Sequence, residues 1–393
     1  MTQRQLKSGY FVLEGLNALA TTFYFYYLFF LLQSQYGFGN LGNLCVSALN
    51  GLVYVFAAFY GGRFAQKHGY FLALKLGCAI ICLNLFAGSL LHNATAQIVI
   101  MVLWTIGMCF TWPTLEALVS EKESPAGLSR MIGIYNVVWA GGGALAYFVG
   151  GALLDGLGPA SLFLAPLALH LLQLGLTLWL EKKAGMASAA ETVQPPAAAT
   201  ALALNPRPIA KAKSFLRMAW LANPFAYVAI NTVIPLIPDL ARKLELSPMQ
   251  AGFFCSVWFF ARLGTFILLW LWPGWHYRFG FLLSAYLLLT ASFALLLLVV
   301  QFWVILFSQL IFGLAIGLIY YSSLFYSMDV GETKGEHGGV HEAAIGAGIF
   351  LGPAVGATAL RFFPQHSSSS IWAVSGLLLL GLAGLIWLRR QKG

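Results

Sequence analysis

The sequence predicts an all-α polytopic membrane protein, with twelve transmembrane helices in two pseudo-symmetric six-helix bundles. The chain is 60% hydrophobic and only 9% charged, with a mean hydropathy of +0.79. A soluble protein of 393 residues could not bury that much apolar surface. A glycine-rich pattern also occurs twice at an offset of 206 residues, which indicates two similar halves. The pattern comprises Gly133, Gly142, Ala146, Tyr147, Gly150 and Gly151, matched by Gly339, Gly348, Gly352, Pro353, Gly356 and Ala357.

The apolar runs are long enough to cross a membrane as helices, since about 20 residues span the hydrocarbon core. They lack the alternating polarity of barrel strands. We predict spans 1 to 12 at residues 10–34, 42–62, 70–91, 97–119, 131–154, 160–180, 217–240, 249–272, 279–300, 303–327, 341–360 and 370–388. Residues 1–180 then form an N-terminal bundle and 217–393 a C-terminal bundle, joined by a flexible cytoplasmic linker at 181–216 that is rich in Ala, Pro and Lys.

The basic residues predict the orientation of the spans. Arg262 lies inside a span, and Arg242, Lys243 and Arg361 lie in loops on one side. All other Lys and Arg residues belong to the opposite side, where the termini lie, so we expect both termini in the cytoplasm and the chain in the cell (inner) membrane. The net charge of +9 is mostly this topology signal, and no basic surface suited to nucleic acid is predicted. We expect a monomer in the lipid bilayer.

Two loops and two glycine-rich helices resemble the major facilitator superfamily, and the resemblance covers essentially the whole chain. The segment 62–70 is similar to the loop signature of this family between spans 2 and 3, although Gln66 stands where an acidic residue is usual. The counterpart at 274–280, between spans 8 and 9, is weaker. Span 5 resembles the glycine-rich helix of the antiporters in this family with Ala146-Tyr147 replacing Gly-Pro, and span 11 keeps Gly352-Pro353. Leu103 stands where drug antiporters carry an Arg.

The resemblance implies a secondary transporter whose halves rock around a central substrate path. Small residues on one helix face let two backbones approach closely, and we expect spans 5 and 11 to slide against spans 8 and 2 of the other half. A packing role without any effect on transport direction is the alternative. The residues assigned to conformational change are Gly62, Gln66, Lys67, Gly69, Gly142, Gly150, Gly348, Gly352 and Pro353.

Arg262 is the strongest single indication of a binding site, because it lies near the centre of span 8, where a guanidinium is costly. Trp258 and Thr265 lie about one turn to either side of it on the same face. We predict that Arg262 anchors an anionic or carbonyl-bearing substrate, with Trp258 as a cation–π partner. The alternative is a structural pairing with a buried carboxylate or with free carbonyls.

Glu14 and Glu116 lie at similar depths in spans 1 and 4, which both line the cavity in the superfamily plan. Carboxylates inside membrane spans often carry protons, so we predict a proton-coupling site here, with His341 and Glu342 as further titratable groups of span 11. For Glu14 and Glu116 the alternative is a headgroup-level pairing with Arg4, Lys7, Lys122 or Arg130.

Aromatic and amide side chains in several spans are expected to complete a cavity suited to amphipathic organic molecules. Many of these rings could equally face lipid. Together with Arg262 and Trp258, the predicted substrate-binding residues are Asn17, Thr21, Trp112, Asn136, Trp139, Asn231, Gln309, Tyr320 and Tyr321.

His337 and His341 are four residues apart, a metal-ligand spacing on a helix, but a solvated loop is the more common reason for such a pair, and we predict no metal site. No cofactor is expected, because no phosphate-binding or dinucleotide motif is present. We predict that the chain is not an enzyme but a secondary transporter of a small organic solute, coupled to protons. The alternatives are an uptake permease or facilitator without proton coupling, and a transport-inactive assembly or sensor protein with the same fold.

Overall fold

Among the residues that the structure describes, twelve helices are long and apolar enough to cross a membrane, which confirms the predicted fold class. The computed structural model describes residues 3–121, 123, 125–191, 209–330 and 334–391. Spans 1 to 6 are Gln3–Tyr36, Asn40–His68, Tyr70–Leu90, Ala94–Ser120, Pro125–Leu157 and Ser161–Glu191. Spans 7 to 12 are Ile209–Lys243, Pro248–Cys255 with Val257–Leu271, Phe279–Leu298, Phe302–Asp329, Lys334–Phe362 and Ser369–Arg390.

Span 8 is interrupted at Ser256, whereas the sequence predicted one continuous helix. The Ser256 hydroxyl donates a 2.9 Å hydrogen bond to the carbonyl of Phe253, and such bonds compete with the regular backbone pattern. Ser247 and Gln250 form a capping box that fixes the start of the first segment. The second segment begins at Val257, so Arg262 lies in its second turn.

The predicted linker is shorter than expected, because span 6 continues to Glu191 and span 7 begins at Ile209. Alanines at 184, 187, 189 and 190 favour continuation of the first of these helices. The remainder of the linker, 192–208, lies outside the described residues. The division into two bundles at 180 and 217 stays a prediction.

The most extensive contacts between the two halves are the crossings of span 2 with span 11 and of span 5 with span 8. At the first crossing Gly51 faces the backbone of Phe350, and at the second Gly151 faces the carbonyl of Pro248. A side chain at either glycine would overlap these backbone atoms, so the close approach needs glycine.

One end of the bundle carries residues 3 and 391, and we call it the termini side and the opposite end the far side. The halves are hydrogen-bonded to each other at the far side. The Nδ2 of Asn40 donates to Asp239 at 3.0 Å, and the Nδ2 of Asn43 donates to the carbonyl of Pro235 at 3.2 Å. The Ser47 hydroxyl donates to the carbonyl of Asn231 at 3.2 Å. These bonds link span 2 to span 7 between the far side and the centre of the molecule.

Candidate functional site

A cavity of about 140 Å³ lies between the two halves. Side chains of spans 1, 2, 4 and 5 line it from one half, and side chains of spans 7, 8, 10 and 11 from the other. Small-molecule sites typically measure roughly 300–1,000 Å³, so in this conformation the cavity encloses only a small ligand.

Arg262 provides the positive charge of the cavity, and its side chain is only 5% exposed. Its guanidinium carbon lies 4.4 Å from the ring centroid of Trp139, 4.9 Å from that of Phe259 and 5.2 Å from that of Trp258. The Nε atom is buried without a hydrogen-bond partner. Within the described residues, no carboxylate oxygen lies within 4 Å of the guanidinium. Among the described residues, the guanidinium therefore contacts aromatic faces rather than a carboxylate, and such faces compensate only part of the cost of burial.

An aromatic layer joins the two halves around Arg262. The ring of Trp139 in span 5 stacks on Tyr320 in span 10, with centroids 5.2 Å apart, and on Phe266 in span 8 at 5.8 Å. Trp112, which precedes the helix-internal Pro113 of span 4, meets Trp139 edge-on at 6.1 Å. A motion that separates the halves at this level must break the stacking of Trp139.

Two carboxylates line the same cavity as Arg262. Glu342, at the start of the apolar part of span 11, accepts a hydrogen bond from the hydroxyl of Tyr54 in span 2. Glu116 projects from span 4 into the cavity and interacts electrostatically with Glu342. Lys7 is not a partner of Glu116, because its ammonium binds the carbonyl oxygens of Val119 and Glu121 at 2.8 and 2.7 Å and Glu123 at 3.0 Å.

Glu14 lies behind the cavity wall and is fully buried. Both of its carboxylate oxygens are inaccessible and make no well-formed hydrogen bond, although the hydroxyl of Tyr135 faces them. Its charge interacts with those of Glu116 and Glu342. The structure therefore brings three of the predicted titratable groups into one cluster, with Tyr135 between Glu14 and the cavity. The side chain of His341 lies outside the described part of the chain, as does that of His337.

Several residues predicted to bind substrate do line the cavity. They are Arg262, Thr21, Trp112, Trp139, Asn231 and Tyr320.

The other five predicted residues do not line it. Trp258 packs behind Arg262, and with Gln309 it borders a separate small apolar void. Tyr321 is turned towards Trp275, at a centroid distance of 5.8 Å, because consecutive residues on a helix differ by about 100° in direction.

Asn17 accepts a 3.4 Å hydrogen bond from Gln173 inside the N-terminal half. Asn136 is also fully buried outside the lining.

The sequence reasoning missed several cavity residues, most importantly Tyr54 and Tyr227. Span 2 carries polar residues at Asn43, Ser47, Asn50 and Tyr54, a spacing of four, three and four that places them on one helix face. Asn50 donates a 2.7 Å hydrogen bond to Thr105 of span 4. This polar stripe within an apolar span could have identified Tyr54.

Gly142 and Gly348 do not contact the spans that we expected, which were span 8 for span 5 and span 2 for span 11. A Cβ on Gly142 would lie 3.0 Å from that of Ala18 in span 1, and Gly348 faces the carbonyl of Pro224 in span 7. Gly150 faces Phe23 and Tyr27 of span 1, and Gly352 faces Val228 and Thr232 of span 7. These glycines pack within their own half, because span 5 presents one face to span 1 and another to span 8. Gly133 and Gly151 face span 8 as expected.

The loop between spans 2 and 3 has one residue that needs glycine, Gly69, whose φ of 99° is unfavourable for other residues. Gln66 and Lys67 are exposed, and a Cβ on Gly62 would approach only Pro113, at 4.0 Å. In the part of the chain that the structure describes, no cluster of three His, Cys, Asp or Glu side chains could hold a metal ion.

Comparison with known proteins finds a family model that matches part of the chain. The model of the Major Facilitator Superfamily matches residues 3–147. No curated protein sequence matches the chain.

Three solved structures share the fold along nearly the whole chain. The human organic anion transporter MFSD10 (TETRAN) has a TM-score of 0.68 at 18% identity, with 98% of this chain and 100% of that one covered. A mutant of the peptide transporter POT has a TM-score of 0.70 at 15% identity, with coverage of 100% and 99%. The nucleoside transporter NupG has a TM-score of 0.69 at 15% identity, with 98% of each chain covered.

Proposed function

We propose that the chain is a divergent member of the major facilitator superfamily and that it moves a small organic solute across the membrane by alternating access, coupled to protons. Membrane transport is the activity of the family and of the three similar structures. The substrate class, the coupling ion and the residues involved are our proposal. So are a single-subunit protein and an inner-membrane location with both termini in the cytoplasm.

The buried charge of Arg262 is the observation that carries the proposal. A guanidinium at the centre of a membrane span costs about 2.5–3.5 kcal/mol by insertion scales, and it cannot escape this cost by losing its proton. The described residues supply aromatic faces but no carboxylate within 4 Å. An anionic or carbonyl-bearing solute in the adjoining cavity would complete the site, so we assign Arg262 as its anchor.

Alternating access is supported by where the halves touch. The glycine contacts at Gly51 and Gly151 place backbone against backbone between the halves. Hydrogen bonds to span 7 from Asn40, Asn43 and Ser47 close the far side. Such contacts can separate as units while each half keeps its own packing. The cavity would then open to one side at a time.

Proton coupling is supported by the carboxylate cluster of Glu14, Glu116 and Glu342. Like charges this close in a low-dielectric site cannot all be ionised at low cost. Proton binding would therefore relieve their repulsion, and proton release would restore it. Because Glu116 and Glu342 line the cavity, the protonation state is linked to occupancy of the site.

Counterflow in proteoliposomes tests the proposal. The purified protein is first screened by thermal shift against a panel of organic acids, amino acids, peptides and nucleosides, because a ligand that binds only the folded state raises the apparent stability. A labelled ligand that stabilises the protein should then exchange across vesicles that contain it. An imposed pH gradient should drive accumulation. Exchange without pH-driven accumulation would indicate a facilitator, and binding without exchange would indicate a transport-inactive sensor.

A further inference from the structure

The central cavity is lined by ionisable groups of both signs, and the basic and acidic groups lie on different walls. Arg262 projects from span 8, whereas Glu116 and Glu342 project from spans 4 and 11. The hydroxyls of Tyr227 and Tyr320 interact electrostatically with Arg262 and also with both carboxylates. Both tyrosines are therefore close to the basic and to the acidic groups of the cavity. This arrangement is a dipolar cavity rather than a simple anion site.

The two carboxylates have no basic partner among the side chains that the structure describes. Glu342 accepts a hydrogen bond from Tyr54, and no Lys, Arg or His nitrogen among the described residues lies within 4 Å of Glu342 or Glu116. The nearby Lys7 is saturated by two carbonyls and by Glu123. At both ends of the cavity, an ionisable side chain therefore lacks an oppositely charged partner among the described residues.

We propose that the substrate is a small zwitterion, with its carboxylate on Arg262 and its ammonium on Glu116 and Glu342. A monoanion would satisfy Arg262 but leave two carboxylates facing it across the cavity, which costs binding free energy. A zwitterion matches both ends, and charge-assisted hydrogen bonds are the stronger kind. The cavity volume of about 140 Å³ limits the substrate to the size of an amino acid or a similar small molecule.

The inference rests on the proposed transport function and divides the three carboxylates into two roles. Glu116 and Glu342 meet the ammonium group of the substrate. Glu14 is separated from the cavity by Tyr135 and keeps the proton-carrying role. Proton binding at Glu14 would then influence the substrate through its electrostatic interaction with the other two carboxylates.

Matched triads of ligands test the inference. Each triad contains a zwitterion, its deaminated acid and its decarboxylated amine: phenylalanine, 3-phenylpropionate and phenethylamine; 4-aminobutyrate, butyrate and propylamine; 6-aminohexanoate, hexanoate and pentylamine. The different spacings allow for an unknown separation of the two charges. Binding is measured by thermal shift and by competition. In at least one triad, we expect the zwitterion to bind at least tenfold more tightly than either truncated analogue.

Two variants locate the ends of the bound zwitterion. Glu342→Gln should remove most of the preference for the zwitterion over its deaminated acid, without weakening binding of that acid. Arg262→Gln should weaken binding of the zwitterion and the acid together. Glu116→Gln serves as a second probe of the ammonium end if Glu342→Gln fails to yield monodisperse protein. Glu181→Gln, in a part-exposed pair with Lys75, is the control and should change nothing.

The outcomes separate this inference from the proposed function. If deaminated acids bind as tightly as the zwitterions in every triad, or if no zwitterion binds, the substrate is not a zwitterion of this size. The transport proposal would still stand if binding of the acids depends on Arg262. A zwitterion preference that survives both Glu342→Gln and Glu116→Gln also overturns the assignment of the ammonium site. Binding that is indifferent to Arg262 would overturn Arg262 as the anchor, and binding without counterflow would overturn the proposed transport function.

Discussion

The carboxylate of Asp155 accepts a 2.9 Å hydrogen bond from the backbone amide of Met249, so the end of span 5 in one half caps the start of span 8 in the other. A negative charge at a helix N-terminus is stabilising, since the unpaired amides there carry partial positive charge. Asp239, near the end of span 7, accepts a hydrogen bond from the side chain of Asn40, the first residue of span 2, and so contacts the start of that helix without capping its backbone amides. Each half therefore holds the start of a helix in the other half at the far side.

The first prediction concerns Asp155. Asp155→Asn removes the charge at the start of span 8, where such a charge contributes about 0.3–1 kcal/mol. The far-side-closed conformation should lose this amount, and the open population should rise about 2- to 5-fold. The measurement is the rate at which an impermeant maleimide modifies a single cysteine at cavity-lining Thr22, in a background without the native cysteines. Glu245→Gln, an exposed change on the same side, should leave the rate unaltered. Equal rates in all three proteins would mean that Asp155 does not hold the far side closed.

The second prediction concerns Arg262. Arg262→Ala should abolish counterflow, because the cavity loses its positive charge. Arg262→Lys should restore only a part, since a point charge cannot stack between Trp139 and Phe259 as the planar guanidinium does. Initial rates in proteoliposomes give the measurement. Arg389→Ala, which removes a guanidinium at 5.4 Å from the Phe279 ring near the C-terminus, is the matched control. Parental rates in Arg262→Ala would exclude Arg262 as the anchor.

The spans were predictable because hydropathy and length alone decide whether a helix can cross a membrane. The position of Arg262 at the cavity was predictable, since a charge inside such a span needs a polar or aromatic environment. The break at Ser256 was not predictable, because serine is common within membrane helices and the competing bond to Phe253 is a matter of local geometry. Most helices extend beyond their predicted ends, since helices continue past the apolar core, but spans 3, 8 and 9 end one or two residues earlier than predicted.

The direction in which each side chain points was harder to predict than the spans. Tyr320 and Tyr321 are adjacent and chemically alike, yet only Tyr320 lines the cavity. In a span that is apolar all round, periodicity does not mark the inner face. Gly142 raised the same problem, because span 5 has small residues towards both span 1 and span 8. Packing between helices settles such choices, and a single sequence does not contain that information.

The third prediction concerns Glu14. Glu14→Gln should stop proton-driven accumulation while sparing exchange of solute down its gradient, because a glutamine cannot carry a proton between the two sides. The groups that face this site are Tyr135, Glu116 and Glu342. The measurement compares uptake driven by a pH gradient with counterflow at equal pH. Glu181→Gln provides a control for loss of a carboxylate elsewhere. A Glu14→Gln protein whose uptake keeps the parental pH dependence would show that Glu14 does not carry the coupling proton.

The fourth prediction separates the two kinds of glycine in span 5. Gly142 packs on Ala18 within the N-terminal half, so Gly142→Leu should destabilise that half in every conformation, by about 1–3 kcal/mol or more. Gly151 faces the carbonyl of Pro248 across the halves, so Gly151→Leu should penalise only the conformation in which that contact is closed.

These two variants should therefore fail in different ways. Gly142→Leu should unfold at a lower temperature, whereas Gly151→Leu should keep its unfolding temperature, still bind solute and remain open to the far side. Thermal unfolding, equilibrium binding and maleimide labelling at Thr22→Cys distinguish the two. A Cβ on Gly175 in span 6 would have no atom within 4 Å, which makes Gly175→Leu the matched control. If Gly151→Leu turns over solute at the parental rate, spans 5 and 8 do not separate during transport. If Gly142→Leu has the stability of the Gly175→Leu control, the contact with span 1 is looser than its 3.0 Å approach to Ala18 indicates.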